Sequence, residues 1–263
     1  MSDLLVERTD ATVTLRIHRP AALNALTGEL LEDLRRCVAE AADDPAVRAV
    51  VITGSGQKAF SAGADLNEIT ALGTDLARAR ELMSRGQAAL REIERAPVPV
   101  IAAVNGLALG GGFELVLAST FAVLSTRASL GLPESSLGLI PGYGGTQRLP
   151  RAVGQRVAAH LMLTGTRLSA DHAHALGLTP VPPVAPDELL PTAASIAGTI
   201  ASRGPLAVRA ILRAVEAARD LPLDEGLSTE TELAARAIVS AESTEGVAAF
   251  TERRTPVFPN PED

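Results

Sequence analysis

Residues 96 to 113 run for eighteen positions without a charge. That length meets the usual threshold for a membrane-spanning helix, so the residues that interrupt it decide the fold. Pro97, Pro99 and Asn105 fall inside the run, and Gly106, Gly110, Gly111 and Gly112 crowd its second half. Proline and glycine at such density break a helix, whereas a buried strand followed by a glycine-rich turn accommodates them all. Val98 to Val104 then reads as a strand without polar alternation, and Ala49-Val50-Val51-Ile52-Thr53 is a second of the same kind. Strands apolar at every residue are buried on both faces, as parallel sheets covered by helices are. The N-terminal Met1 to Glu7 lacks the basic flank and long apolar region of a secretory signal. A soluble cytoplasmic protein is expected.

Around these strands the pattern alternates between two periods. Val13, Leu15 and Ile17 alternate with polar residues, the mark of a half-buried strand ending before Pro20. Thr27 is placed to cap a helix in which Leu30, Leu34, Val38 and Ala41 share one face, stopped at Asp43-Asp44-Pro45. A helical stretch covers residues 74–95, another contains Phe113 to Ala118, and Phe121 to Ser125 reads as a short strand. Recurring strand, turn and helix argue for an α/β layer architecture, with no sequence repeat strict enough to define a solenoid. After about residue 150 helical patterns dominate: 153–163, 169–176, 187–202, 206–219, 223–239 and 243–253. The division expected is an α/β core over 1–200 and a helical region over 201–263 that packs on the core or on a neighbouring subunit.

Composition removes several function classes. With 24 Lys and Arg against 31 Asp and Glu, and with five Phe, one Tyr and no Trp, the chain lacks the basic excess and interleaved aromatics of a nucleic-acid binder. At 46% hydrophobic residues over 263 positions it is neither disordered nor a disulfide scaffold. Cys37 is the single cysteine, so no internal disulfide forms, which suits a reducing compartment. His172 and His174 diverge on a helix, and His18 and His160 have no partners at metal spacing. The histidines therefore read as structural, with no metal site. No hydrolase nucleophile elbow is present.

Three glycine-rich segments at strand ends remain as places for chemistry: Lys58 to Leu66, Asn105 to Glu114, and Gly131 to Thr146. None is a phosphate loop, since Gly54-Ser55-Gly56-Gln57-Lys58 has the wrong spacing. None is a dinucleotide fingerprint, since Gln147 stands where a third glycine is required. Any one of them alone is also what an ordinary tight turn looks like. Glu114 alone fits a first-turn helix charge, and Glu134 alone a surface acid beside Pro133. Together they describe something narrower. Glycines let backbone amides approach a ligand, and Gly110-Gly111-Gly112 opening a helix aims unpaired N–H groups outward. Such amides stabilise an oxyanion, with two carboxyl groups at hand for proton transfer.

These residues carry a family resemblance. Lys58-Ala59-Phe60-Ser61-Ala62-Gly63-Ala64-Asp65-Leu66, Asn105 through Glu114, Pro133-Glu134 and Ile140 through Leu149, in that order, resemble the enoyl-CoA hydratase/isomerase (crotonase) family. The match runs from Arg19-Pro20-Ala21-Ala22-Leu23-Asn24-Ala25-Leu26 to Phe250-Thr251-Glu252-Arg253-Arg254, nearly the whole chain. The resemblance implies a spiral of ββα turns with a helical C-terminal trimerisation region, assembled as a homotrimer or a hexamer of two trimers. It implies an acyl-CoA thioester as substrate, with coenzyme A part of the substrate and no other cofactor. The backbone amides of Ala64 and Gly111 would form the oxyanion hole, and Glu114 and Glu134 match both acids of the hydratase pair. Substrate contacts would come from Ala22, Lys58, Ala62, Ala64, Asp65, Leu66, Asn67, Gly111 and Gly142.

With both glutamates present, the reaction expected is hydration of a 2,3-enoyl-CoA to a 3-hydroxyacyl-CoA. Glu114 would position and activate water and Glu134 would donate a proton to Cα. The alternatives are an enoyl-CoA isomerase or another reaction of the family, and a non-catalytic acyl-CoA-binding protein. Lys58, the only lysine, is placed for a contact with a CoA phosphate. Tyr143, the only tyrosine, either lines the acyl pocket or packs within its loop. The C-terminal Thr255-Pro256-Val257-Phe258-Pro259-Asn260 departs from the family in having no lysine, with Arg253 and Arg254 the nearest cations.

Overall fold

The computed structural model describes residues 2–260; Met1 and residues 261–263, at the outer ends of the 1–200 and 201–263 segments, lie outside it. β1 (Leu4–Thr9) and β2 (Thr12–Ile17) pair as an antiparallel hairpin. In β2 the buried residues are Val13, Leu15 and Ile17, so the alternation in the sequence marks the strand. β1 buries Leu4 alone and carries no such signal. β3 (Ala49–Gly54), β5 (Val100–Val104) and β7 (Phe121–Leu124) extend the hairpin in parallel, in the order β1-β2-β3-β5-β7.

The lack of alternation in β3 and β5 has a direct cause. Val50, Ile52, Val100, Ala102 and Val104 face the main core. Their neighbours Ala49, Val51, Ile101 and Ala103 face Leu189, Ala193 and Ala197 of α8 (Leu189–Ala201) on the other side of the sheet. Both faces are covered. The eighteen-residue charge-free run thus resolves into β5, β6 (Leu107–Leu109) and the start of α4 (Gly111–Ala118). Among the described residues no helix is long and apolar enough to cross a membrane.

A second sheet, β4-β6-β8-β9, is built from β4 (Ala59–Ser61), β6, β8 (Ser129–Gly131) and β9 (Leu168–Ser169). Consecutive strands enter different sheets: β3 then β4, β5 then β6, β7 then β8. Each pair is followed by helix: α2 (Leu66–Thr70) and α3 (Leu76–Glu94), then α4, then α5 (Gly145–Val153) and α6 (Gln155–Thr164). This is the spiral of ββα turns that the resemblance implies. The three short inner strands lie inside or beside the glycine-rich segments and were legible there only as turns. α5 also escapes the helical pattern, because Gly145 opens it and Pro150 sits within it.

α1 (Gly28–Asp43) follows β2 and is capped by Thr27, whose hydroxyl oxygen accepts from Leu30 N–H at 3.1 Å. Its buried face includes Leu30, Leu34, Val38, Ala41 and Cys37, and burial pushes the Cys37 thiol up from its ordinary pKa. α7 (Ala170–Ala175), α9 (Pro205–Asp220), α10 (Leu223–Ile238) and α11 (Ala241–Glu252) complete the chain. Glu242 of α11 accepts from the Leu206 and Ala207 amides at the start of α9, at 2.9 and 3.3 Å. Two histidines make local bonds, His18 Nδ1 to Ser55 Oγ at 2.9 Å and His174 Nδ1 to the Thr179 carbonyl at 3.0 Å.

One buried amide locks the first turn of the spiral. Leu23 and Asn24 both adopt left-handed backbone (φ 50° and 58°). Asn24 Nδ2 donates to the carbonyls of Ser55 and Ala59 at 3.0 and 2.8 Å, and its Oδ1 accepts from Arg19 N–H at 3.0 Å. This ties the 19–26 segment to the entry of β4. Asn24→Ala strands buried polar groups and is expected to lower unfolding free energy by about 3 kcal/mol in urea denaturation. Asn24→Asp, with the same shape, is expected to destabilise as well, because it turns an acceptor toward two carbonyls.

Candidate active site

Site geometry starts from the turn between β6 and α4. Gly110 is left-handed (φ 50°), a conformation that turns the chain sharply into the helix. A Cβ on Gly112 would meet the Ser61 carbonyl oxygen at 2.3 Å, so only glycine lets α4 approach β4 this closely. The helix therefore starts with its first amides beside the 61–65 loop. Gly111 N–H belongs to the helix end that has no intrahelical acceptor.

Ala64 lies on that loop. Leu26 N–H donates to the Gly63 carbonyl at 2.8 Å, and Asp65 N–H donates to the Leu26 carbonyl at 2.9 Å. Extended backbone alternates its polar groups between two edges, so the Ala64 N–H faces away from Leu26. Among the described residues neither the Ala64 nor the Gly111 amide donates to a protein acceptor. A Cβ on Gly111 would lie 3.3 Å from Ala64 N, so the two amides border one small space. Ala62, Ala64 and Gly111 all line a cavity of about 480 Å³.

Glu114 and Glu134 line that same cavity. Glu114, in the first turn of α4, is 1% exposed. Its Oε1 accepts from Tyr143 N–H at 2.8 Å and Gly145 N–H at 2.7 Å. Burial raises its pKa. The Gly145 bond opposes this and the nearby Glu134 charge adds to it, leaving the group at about 7. Glu134 begins a short 3-10 turn, Glu134–Leu137. Burial raises its pKa too, and its Oε2 is buried without a hydrogen-bond partner among the described residues. Two acids and two open amides share one enclosure. Glu114 is held by two amides of a neighbouring loop, whereas Glu134 has only its own backbone N–H to oppose the rise in its pKa.

Of the remaining residues expected at the site, Leu66 and Gly142 line the cavity. Ala22, Lys58, Asp65 and Asn67 lie outside it. Ala22 and Lys58 are exposed, beside the pairing of Ala62 N–H with the Leu23 carbonyl at 3.0 Å. Asp65 is 8% exposed and occupied by the protein itself. Its Oδ1 caps α2 through Asn67 N–H at 3.0 Å, its Oδ2 pairs with Arg19 at 3.0 Å, and Asn67 Nδ2 donates to it. It fixes the loop that presents Ala64. Tyr143 satisfies both readings, being buried and lining the cavity, and burial pushes its phenol up to about 12.

Sequence reading passed over the groups that hold Glu114 in place. Arg148 donates to the Tyr143 carbonyl at 2.8 Å and forks onto Glu94 at 3.0 and 2.9 Å. Arg91 and Arg219 also pair with Glu94. Burial opposes ionisation of Glu94, but Arg148 and the other two guanidiniums outweigh it and hold the carboxyl below its ordinary range. Gln147-Arg148 was visible as part of a motif; Glu94 gave no signal, since two of its three partners, Arg148 and Arg219, come from α5 and α9.

The fold and most of the sequence are shared with known proteins. The model of the enoyl-CoA hydratase/isomerase family matches residues 7–261. Crotonyl-CoA hydratase of Syntrophomonas wolfei subsp. wolfei is 41% identical over 97% of each chain, and 2,3-dehydroadipyl-CoA hydratase of Escherichia coli K12 is 40% identical over 98% of this chain and 99% of its own. The crystal structure of enoyl-CoA hydratase from Bacillus anthracis superposes with a TM-score of 0.93 at 39% identity, covering 99% of this chain and all of that one. The chain belongs to the enoyl-CoA hydratase/isomerase family.

The raised pKa of Glu114 makes stability depend on pH. Between the ordinary carboxyl value of 4.5 and about 7 the folded chain keeps a proton that the unfolded chain releases. That contribution is complete at acid pH and is lost as pH rises through about 7. Glu114→Gln removes it, so the variant's melting temperature is expected to vary less between pH 5 and 8 and to exceed wild type at pH 8.

Proposed function

We propose that this chain is an enoyl-CoA hydratase, adding water across the 2,3 double bond of an enoyl-CoA thioester to give 3-hydroxyacyl-CoA. The observation that carries the reading is that Glu114 and Glu134 line the same cavity as the amide-bearing residues Ala64 and Gly111. An α,β-unsaturated thioester accepts water at Cβ only as negative charge moves onto its carbonyl oxygen. Two converging amides are suited to that charge, and losing one such donor typically costs ~10²–10³ in rate. Glu114 in its carboxylate form takes a proton from the attacking water, whose oxygen bonds to Cβ. Glu134 in its acid form delivers a proton to Cα, and proton exchange with solvent resets the pair. Titration of Glu114 at about 7 makes both of its forms accessible near neutrality.

Water is the only co-reactant and no redox step occurs, so the reading calls for no cofactor beyond the coenzyme A carried by the substrate. The exposed Ala22 and Lys58, with the loop braced by Asp65 and Asn67, are assigned to the CoA portion outside the cavity. The single cysteine suits a cytoplasmic enzyme.

The reading extends to a homotrimer or a hexamer of two trimers. α10 buries none of its residues, although it carries Leu223, Leu227 and Ile238. Phe250 on α11 is 86% exposed. Apolar faces of this kind are covered by partners in soluble proteins. Sedimentation equilibrium is expected to give three or six times the chain mass, and a monomer at micromolar concentration would refute it.

Crotonyl-CoA hydration, followed by loss of the conjugated thioester absorbance, tests the activity. Wild type is expected to turn over. Glu114→Gln and Glu134→Gln are each expected to lose ~10²–10⁴ in kcat with cooperative melting retained. Near-full activity in both variants, or double-bond migration in place of hydration by wild type, would overturn the assignment.

A further inference from the structure

The relatives act on thioesters as different as crotonyl-CoA and 2,3-dehydroadipyl-CoA, by their names, so the chain's own cavity has to define its acyl group. Its lining is apolar along Leu66, Ile69, Leu72, Ala79 and Met83, and among the described residues no arginine or lysine lines it. A terminal carboxylate would enter without a counter-charge a cavity that already holds Glu114 and Glu134. Burying such a charge unpaired is strongly unfavourable.

The one aromatic ring in the lining of this cavity among the described residues is that of Tyr143. Tyr143 is seated between two glycines: a Cβ on Gly86 would lie 2.3 Å from its Cε1, and a Cβ on Gly111 would lie 3.1 Å from its Cδ2. The backbone around the ring is tied at several points. Tyr143 N–H donates to Glu114, its carbonyl accepts from Arg148, and Gln87 of α3 donates to the adjacent Gly142 carbonyl at 2.8 Å. Met83 packs on Gly142, where a Cβ would be 2.4 Å from its sulfur. Residues 83, 86 and 87 fall on one face of α3, so one helical face grips the loop that carries the ring.

Behind the ring lies a second cavity, of about 410 Å³, lined by Gln147, Arg148 and Arg151 among others. Tyr143 belongs to both linings. With Gln87, Pro141 and Thr146, which also line both, it separates the apolar cavity next to the reacting groups from a charged one lined by Arg91, Arg148, Arg151 and Arg219 together with Glu94 and Asp220.

We infer that Tyr143 is the specificity-determining wall of the acyl site, restricting the enzyme to short 2-enoyl chains with uncharged ends. The inference rests on the hydratase reading for the reaction, on the ring for chain length and on the uncharged lining for the end group. A wall fixed by backbone bonds and two glycines does not swing aside for a longer chain. Removing the ring takes away the aromatic member of that shared boundary and enlarges the apolar cavity, while leaving the amide that holds Glu114.

The test is kcat/KM for crotonyl-CoA, 2-decenoyl-CoA and 2,3-dehydroadipyl-CoA with wild type, Tyr143→Phe and Tyr143→Ala. Wild type is expected to favour crotonyl-CoA over both others, and Tyr143→Phe, which keeps the ring, to keep that order. Tyr143→Ala is expected to raise the decenoyl-to-crotonyl ratio at least ~10-fold, about the discrimination that one methylene can carry in an apolar pocket. Should the alanine variant fail to fold, Tyr143→Leu retains cover over Gly86 and is expected to shift the ratio in the same direction. Affinities for butyryl-CoA and decanoyl-CoA, measured calorimetrically on the same proteins, report the wall without turnover. Absence of hydration by wild type would then refute the hydratase reading, while the affinity ratio would still judge Tyr143. An unchanged ratio in the variant that lacks the ring, or wild type using decenoyl-CoA as well as crotonyl-CoA, would overturn the inference.

Discussion

A carboxyl group as deeply buried as Glu114 must be neutral or be solvated by the protein, and this protein leaves it between those states. Two amides from one loop, Tyr143 and Gly145, donate to the same oxygen. They recover part of the hydration lost on burial without supplying a full counter-charge. The amides are available because the third turn of the spiral lays its loop over the helix that grows from the second. The open amides of Ala64 and Gly111 depend on the same stacking, since β4 and β6 are neighbours in the inner sheet. The chemistry is therefore a property of adjacent spiral turns rather than of any one segment.

Much of this was legible in the sequence, for identifiable reasons. Val50 and Val100 announce buried parallel strands because each face of their sheet has its own apolar partner. Gly110 and Gly112 announce a close approach because only glycine tolerates the φ of one and the contact of the other. The inner strands β4, β6 and β8 were hidden because three residues are too few to establish a period. α5 was hidden by the glycine and proline it contains. Asp65 shows a different limit: the sequence places it in the right loop but does not reveal that its carboxylate is already committed to Asn67 and Arg19.

The site also shows where stability has been given up. Glu114 and Glu134 both have raised pKa values in one enclosure, so their ionisation works against folding as pH rises. The single chain also leaves apolar residues of α10 and α11 uncovered, Leu223, Ile238 and Phe250 among them. Arg19 and Asp65 brace the loop that carries Ala64 with a part-buried ion pair, and Asn24 ties the 19–26 segment to β4 with buried hydrogen bonds. Rigidity is concentrated where the loops must present amides.

Glu94 is shared between two neighbourhoods. It grips Arg148, which in turn holds the Tyr143 carbonyl, and it also pairs with Arg219 on an outer helix. The peripheral helix and the floor of the reaction chamber are thereby mechanically linked through one carboxylate. A lineage that remodelled its outer helices would have to preserve that anion or re-tune the chamber along with them, so drift at the periphery is constrained by chemistry at the centre.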